Sequence, residues 1–156
     1  MSDYMKDKET ILVSACLLGI NCNYKGKNSL NRKVIDYIKD KNFIPICPEI
    51  LGGFSTSRAN AEIVGGCGHK VLTGEVKVIE TDGKDVSQLF IKGAGEVLKI
   101  AKLSGAKKAI LKARSPSCGV GETYDGTFSD KLVSGDGVLT ALLRQKGIKV
   151  INDEEL

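Results

Sequence analysis

The 156-residue chain contains no tryptophan and only one histidine, and aromatic residues make up 5% of it. Proteins that bind single-stranded nucleic acid without sequence preference stack its bases on aromatic side chains, so this composition disfavours that class. The net charge of +4 suits a polar or anionic ligand but is a weak footprint for nucleic-acid binding. The sequence therefore carries no strong nucleic-acid signal.

The chain also lacks a run of 18 apolar residues, which disfavours a membrane span. Residues 1–10 are polar and charged without a hydrophobic stretch, so they do not form a secretory signal. Apolar residues at 42% and charged residues at 27% are ordinary globular values. We expect a polar N-terminal tail over residues 1–10 and a single domain over residues 11–156, located in the cytoplasm.

No Cys-x-x-Cys motif occurs, although the chain has five cysteines: Cys16, Cys22, Cys47, Cys67 and Cys118. An odd number of cysteines in a reducing compartment indicates free thiols, metal ligands or nucleophiles rather than a disulfide framework. The cysteines are therefore the first candidates for chemistry.

The apolar residues are patterned for alternating strands and helices. Short β-rich runs predict core strands at 11–16, 43–47, 108–112 and 148–151. Apolar residues at helical spacing predict helices at 85–103, 138–146 and 30–40, the last capped by Asn28 or Ser29. A hairpin is predicted from 71–72 and 76–80, and loops from 48–69 and 115–137. This order predicts an α/β fold: a Rossmann-like parallel sheet with helices on both faces plus a small β-hairpin.

Three of the cysteines follow predicted strands of this sheet. Cys16 and Cys47 end the first two strands, and Cys118 lies a few residues past the third. Ligands of open parallel sheets bind outside the carboxyl ends of the strands, so the three thiols are expected on one rim. Three thiolates suit an iron–sulfur cluster with one open iron, or zinc with a fourth ligand. Buried structural thiols are the alternative.

Several ordered motifs add a family resemblance that runs from about residue 11 to residue 151. The motifs are Ser14-Ala15-Cys16-Leu17-Leu18-Gly19, Cys22 with Tyr24, Cys47-Pro48-Glu49-Ile50-Leu51-Gly52-Gly53-Phe54-Ser55-Thr56, Arg58 with Ala61 and Glu62, Ser115-Pro116-Ser117-Cys118-Gly119, and Tyr124-Asp125-Gly126-Thr127-Phe128. Together they resemble the signatures of the TudS-like thiouracil desulfurase family, also catalogued as domain-of-unknown-function family 523.

The resemblance implies a cofactor, a reaction and a set of site residues. Cys16, Cys47 and Cys118 would bind a [4Fe-4S] cluster and leave one iron without a protein ligand. The enzyme would hydrolyse the C=S bond of a thiolated pyrimidine to C=O and release sulfide, without redox change. Glu49 would activate water, and either Ser115 or Ser117 would be the proton donor or orienting hydroxyl.

Three alternatives to a thiouracil desulfurase stay open. The substrate of a desulfidase could be a thiolated nucleoside or tRNA. The chain could be a non-catalytic iron–sulfur or zinc module that senses redox state. It could also be a cysteine-nucleophile enzyme in which Cys118 attacks a carbonyl, with His69 or Glu49 as base. Two motifs depart from the family pattern, at 22–26 and 55–62, and these departures bear on the substrate more than on the cluster.

The remaining polar residues have simpler interpretations. Cys22 is interpreted as a protective, resolving or merely buried thiol rather than a ligand, and Cys67 and His69 as members of a solvent-facing loop. Arg58 would either pair with Glu62 four residues on, if that stretch is helical, or reach the rim of the site. Lys112 and Arg114 are interpreted as a solvated strand end, although they could orient an anionic or carbonyl oxygen.

Overall fold

The fold is described by a computed structural model that covers residues 9–156. Its centre is a parallel sheet of four strands: β1 Thr10–Ser14, β2 Asn42–Ile46, β5 Lys108–Leu111 and β8 Lys149–Asn152. The strand order is β2-β1-β5-β8, so β1 and β5 are the central pair. Pro45 lies in the edge strand β2, where proline is tolerated because no further strand needs its missing N–H.

The two faces of the sheet carry separate apolar cores, because successive side chains of a strand point to opposite faces. Ile11 and Val13 of β1 pack with the helix α1, Arg32–Ile38. Leu12 points to the other face, where it joins a larger core with two further helices, α4 Ser87–Ser104 and α5 Val138–Gln145. The predicted parallel sheet with helices on both faces is therefore confirmed.

The predicted hairpin is placed wrongly. Residues 71–72 belong to a short helix, α3 Gly68–Leu72, in which Val71 is fully buried. The strand β4, Lys77–Glu80, pairs instead with β3, Ala61–Val64, from the segment predicted as a loop. Short apolar runs do not distinguish a strand from a buried helical turn, and this ambiguity caused the error. A second antiparallel pair joins β6 Glu122–Tyr124 to β7 Leu132–Ser134, within the other predicted loop.

Several element ends also differ from the predictions. β1 ends at Ser14, and Cys16 lies in the 3₁₀ helix Ala15–Leu18 that follows it. Helix α1 is capped by Asn31, whose side-chain oxygen accepts a hydrogen bond from the Lys33 N–H at 3.0 Å. Asn28 and Ser29 are therefore not the cap. Most of the predicted N-terminal tail, residues 1–8, lies outside the described residues.

Among residues 9–156, no helix has the length and apolar character needed to cross a membrane. The longest helix is α4, which spans 18 residues. Its buried residues, such as Phe90 and Val97, lie on one side and join the larger core. This is the pattern of a helix that covers one face of a sheet.

Two glycines bring the helix α2, Pro48–Gly52, into direct backbone contact with α4. A Cβ atom at Gly93 would overlap the carbonyl oxygen of Pro48, and a Cβ atom at Gly52 would overlap that of Leu89. Neither obstacle is a flexible side chain that could turn aside. Because α2 begins directly after Cys47, this contact also fixes the position of the Cys47 backbone.

We expect Gly93→Ala to lower the free energy of unfolding by about 3 kcal/mol, because a methyl group must push the two helices apart. Gly95→Ala is the matched control, since no atom lies within 4 Å of a Cβ at Gly95 in the same helix. In this control the free energy of unfolding should rise by about 0.5 to 1 kcal/mol, because alanine reduces the entropy of the unfolded chain. Urea unfolding followed by circular dichroism measures both. Equal effects of the two substitutions would contradict the helix contact.

Candidate active site

A cavity of about 340 Å³ opens at the carboxyl ends of β1, β2 and β5. This volume is in the range of small-molecule sites. Four of the five cysteines line the cavity: Cys16, Cys22, Cys47 and Cys118. Glu49, Arg58, Lys112 and Ser115 are among its polar lining residues. The parallel sheet thus brings the three predicted ligand residues together at one edge, as expected from the strand order.

Each of the three cysteines is held by the local backbone. Cys16 lies in the 3₁₀ helix that ends at Gly19, whose φ of 89° is in the left-handed region. Cys47 is the N-cap residue of α2, with Pro48 in the first helical position, where its fixed φ suits the start of a helix. Cys118 lies in a turn in which the Ser115 hydroxyl accepts a hydrogen bond from the Cys118 N–H at 2.7 Å.

Burial is the main influence on two of these thiols. Burial, and then the proximity of Cys47, raise the pKa of Cys16 to about 11, against the lowering effect of Lys112. Burial also raises the pKa of Cys118, which is only 5% exposed. Low polarity disfavours the charged thiolate. The raised pKa of Cys118 disfavours the thiolate that a cysteine nucleophile needs, which argues against that role.

The thiols of Cys22 and Cys47 are hydrogen-bonded to each other. The Cys22 thiol donates a hydrogen bond to Cys47, which lowers the pKa of Cys47 and raises that of Cys22. The Cys47 Sγ atom also lies 3.8 Å from the carbonyl oxygen of Cys22. Cys22 is thus a buried neighbour of a predicted ligand.

Glu49 forms a largely buried ion pair with Arg58. The Arg58 Nε atom donates to Glu49 Oε1 at 3.1 Å, and the two side chains are 6% and 18% exposed, Arg58 and Glu49 respectively. The guanidinium also donates to the backbone carbonyls of Ser55 at 2.9 Å and Thr56 at 3.3 Å. Arg58 therefore reaches the site and does not pair with Glu62, because residues 55–60 are not helical.

The two serines beside Cys118 have different surroundings. Ser115 lines the cavity, and its hydroxyl oxygen accepts from the N–H groups of Ser117 at 3.1 Å and Cys118 at 2.7 Å. Ser117 is 1% exposed, and its hydroxyl donates to Glu49 Oε2 at 3.4 Å, which is long for this type of bond. Ser115 therefore faces the ligand space, whereas Ser117 contacts the carboxylate.

Two basic residues border the cavity beyond β5. Lys112 lines it and lies close enough to Cys16 to lower that thiol's pKa. Arg114 also lines it, but its guanidinium forms a two-bond ion pair with Glu154 at 2.6 and 2.7 Å. Lys112 is thus the better placed of the two to interact with a ligand, while Arg114 ties the segment after β5 to the C-terminal residues.

Two further serines support the thiols and were not identified from the sequence. Ser14, at the end of β1, shares a hydrogen bond with the Cys118 thiol, and its hydroxyl accepts from the Lys112 N–H at 3.0 Å. Ser29 shares a hydrogen bond with the Cys16 thiol. Ser14 stands two residues before Cys16 in one of the motifs, but its contact to Cys118 spans more than 100 residues. The sequence carries no local signal for such a contact.

Cys67 and His69 lie outside the cavity lining. His69 Nε2 is 3.4 Å from Asp136 Oδ2, and its side chain is 44% exposed. The imidazole is therefore engaged elsewhere and does not serve as a base for Cys118.

Within the described residues, no group of three or more His, Cys, Asp or Glu side chains is arranged to hold a metal ion. Thiolates of an iron–sulfur cluster bind different iron atoms, so they converge on a larger volume than the ligands of one ion do.

Fold and cavity together define a class of protein: a parallel α/β domain with a thiol-lined ligand site at the ends of its strands. The chain belongs to the 2-thiouracil desulfurase family of enzymes, whose family model matches residues 11–155. The resemblance that the motifs indicate is therefore confirmed.

Two known proteins illustrate the similarity. The chain is 48% identical over 146 residues to the uncharacterized protein YbbK of Bacillus subtilis (strain 168), a match that covers 94% of this chain and 97% of that protein. Its structure is similar to that of a [4Fe-4S]-dependent thiouracil desulfidase, TudS, with a TM-score of 0.83 and 36% identity. This second match covers 96% of this chain and 93% of the other.

We expect Arg58→Ala to lower the free energy of unfolding by about 3 kcal/mol, because it leaves the Glu49 carboxylate without its buried cation. Lys99→Ala is the control. It removes an ion pair of the same 3.1 Å length between Lys99 and Glu96, but these side chains are 70% and 37% exposed. The control should change stability by less than about 0.5 kcal/mol. Comparable losses in chemical unfolding of both variants would show that the Arg58 pair is not specially stabilising.

Proposed function

We propose that the chain hydrolyses the thiocarbonyl group of a thiolated pyrimidine such as 2-thiouracil. The reaction consumes water, converts C=S to C=O and releases hydrogen sulfide, with no net oxidation or reduction. The observation that carries the proposal is the presence of three cysteines and the Glu49–Arg58 pair around one cavity. Membership in the 2-thiouracil desulfurase family and similarity to a thiouracil desulfidase support it.

Cys16, Cys47 and Cys118 are the residues that we assign to hold a [4Fe-4S] cluster, with one iron left without a protein ligand. The donor set fits this group, because all three side chains are thiols and iron–sulfur clusters are held by cysteine thiolates. When bound, such a cluster supplies a soft Lewis acid for the sulfur of the substrate. The raised pKa values of Cys16 and Cys118 are compatible with this role, since binding of a metal centre releases thiol protons.

Glu49 is the residue that we assign to activate water. Its Oε1 atom is held by Arg58, which leaves Oε2 as the atom that accepts a proton from the attacking water. Ser117 contacts that same Oε2 atom and orients the carboxylate. The carboxylate is thereby fixed on both oxygens before substrate enters.

Ser115 is the residue that we assign as proton donor to the departing sulfur. Its hydroxyl oxygen accepts two backbone N–H groups, so its own proton is free to point into the cavity that the residue lines. Two donors to the oxygen also stabilise the negative charge that develops as the proton leaves. Ser115 and Ser117 thus divide the two roles that the sequence alone could not separate.

The cluster assignment predicts the iron content of cysteine variants. After anaerobic reconstitution, we expect Cys16→Ala, Cys47→Ala and Cys118→Ala each to lose most of the iron and acid-labile sulfide, because each removes one of three thiolate ligands. Cys67→Ala is the matched control, since Cys67 does not line the cavity, and Cys22→Ala should also retain iron. Wild-type iron content in any of the first three variants would contradict the ligand assignment.

The catalytic assignment predicts a graded loss of turnover at unchanged iron content. We expect Glu49→Gln to lower kcat for 2-thiouracil by about a hundredfold or more, because the amide does not accept the proton of water. Ser117→Ala should lower kcat by about tenfold, through loss of one hydrogen bond to Glu49. Release of uracil and sulfide measures both. A reconstituted protein that holds the cluster but releases no sulfide from any thiopyrimidine would favour a non-catalytic module instead.

A further inference from the structure

A second glutamate, Glu62 of β3, has no part in the roles assigned above. Its side chain is buried, with the residue only 4% exposed, and lines the cavity. Its Oε1 atom accepts hydrogen bonds from the backbone N–H groups of Gly126 at 2.9 Å and Phe128 at 3.1 Å. A buried carboxyl group that holds two amides of another segment fixes that segment, because each bond is costly to leave unmade.

The segment that Glu62 holds is the rim loop, defined here as residues 124–131. Its two ends contribute Tyr124 and Asp130 to the cavity lining. Within the loop the backbone takes left-handed conformations at two non-glycine residues, with φ of 57° at Phe128 and 61° at Asp130. Such conformations are sparsely populated and persist where surrounding contacts impose them. Hydrogen bonds within the loop, such as that from the Thr127 N–H to Asp125 Oδ1 at 2.9 Å, and contacts from outside it together impose this shape.

A second contact brings the rim loop onto the same strand. Gly126 has a φ of 93°, and a Cβ atom there would lie 2.7 Å from the Ile63 carbonyl oxygen and 2.8 Å from the Val64 Cα atom. The turn of the loop thus rests directly on the backbone of β3. Glu62 bonds the loop at the residues on either side of Thr127, next to this close approach.

We propose that Glu62 is a positioning residue for substrate binding: it anchors the rim loop so that Tyr124 and Asp130 form a fixed wall of the cavity. A wall that is fixed before the ligand enters spares the entropy of ordering it on binding. The effect falls on KM and not on kcat, because Glu62 bonds the rim loop and has no assigned role in proton transfer. This kinetic consequence rests on the proposed desulfidase function, whereas the anchoring itself does not.

The first test measures anchoring in the cofactor-free protein by amide hydrogen exchange. In Glu62→Ala the Gly126 and Phe128 amides should exchange about tenfold faster or more, because each loses its acceptor. In Glu62→Gln, which keeps an oxygen acceptor, exchange should stay near that of the wild type. Glu80→Ala is the matched control, since Glu80 is a buried glutamate on the adjoining strand β4 and does not line the cavity. Unchanged exchange in Glu62→Ala would overturn the proposal.

The second test measures steady-state kinetics with 2-thiouracil on reconstituted enzyme of equal iron content. Glu62→Ala should raise KM by about tenfold with kcat within about twofold, and Glu62→Gln should restore KM. Gly126→Ala should raise KM as well, because its methyl group would push the rim loop away from β3. This variant is used instead if Glu62→Ala does not fold. An unchanged KM in a variant with faster exchange, or an equal rise in Glu80→Ala, would overturn the proposal. Absence of sulfide release by the wild type would instead overturn the proposed function and leave the exchange result to decide the anchoring.

Discussion

The site depends on one constraint, which is that parallel strands all end at the same edge of their sheet. β1, β2 and β5 are hydrogen-bonded neighbours, and the chain leaves each of them toward the same cavity. Cysteines separated by 31 and 71 positions thereby share a volume of about 340 Å³. The cysteines themselves lie after the strands, in a 3₁₀ helix, at a helix N-cap and in a turn, so the sheet sets their neighbourhood and these elements set their direction.

The cavity concentrates groups that would be negatively charged when ionised, namely four thiols with Glu49, Glu62 and Asp130, around the three cations Arg58, Lys112 and Arg114. Arg58 is committed to Glu49 and to backbone carbonyls of the loop after α2. Lys112 is the remaining cation that influences the thiol of Cys16. Burial therefore raises the pKa of the Cys16 and Cys118 thiols, whereas the hydrogen bond from Cys22 lowers that of Cys47.

The sequence allowed the α/β sheet, its two-sided core and the convergence of Cys16, Cys47 and Cys118 to be predicted, because these follow from hydrophobic period and parallel topology. It misplaced the hairpin, since Val71 is apolar in either a strand or a buried helical turn. The contacts of Arg58 with Glu49 and of Glu62 with the rim loop join residues 9 and 64 or more positions apart. No periodicity encodes such contacts, and only tertiary packing reveals them.

The glycine contact between α2 and α4 constrains the position of one wall of the cavity. At Gly52 and Gly93 the two helices touch through backbone atoms, and no side chain lies between them that could change rotamer or size. The wall that carries Cys47 and Glu49 therefore cannot shift slightly to fit a substitution. The cavity is also lined by loop residues such as Asn23, Ala59 and Asn60, and loops tolerate replacement better than packed helices do. Substitutions that reshape the cavity are therefore easier to accommodate in its loops than at this helix pair.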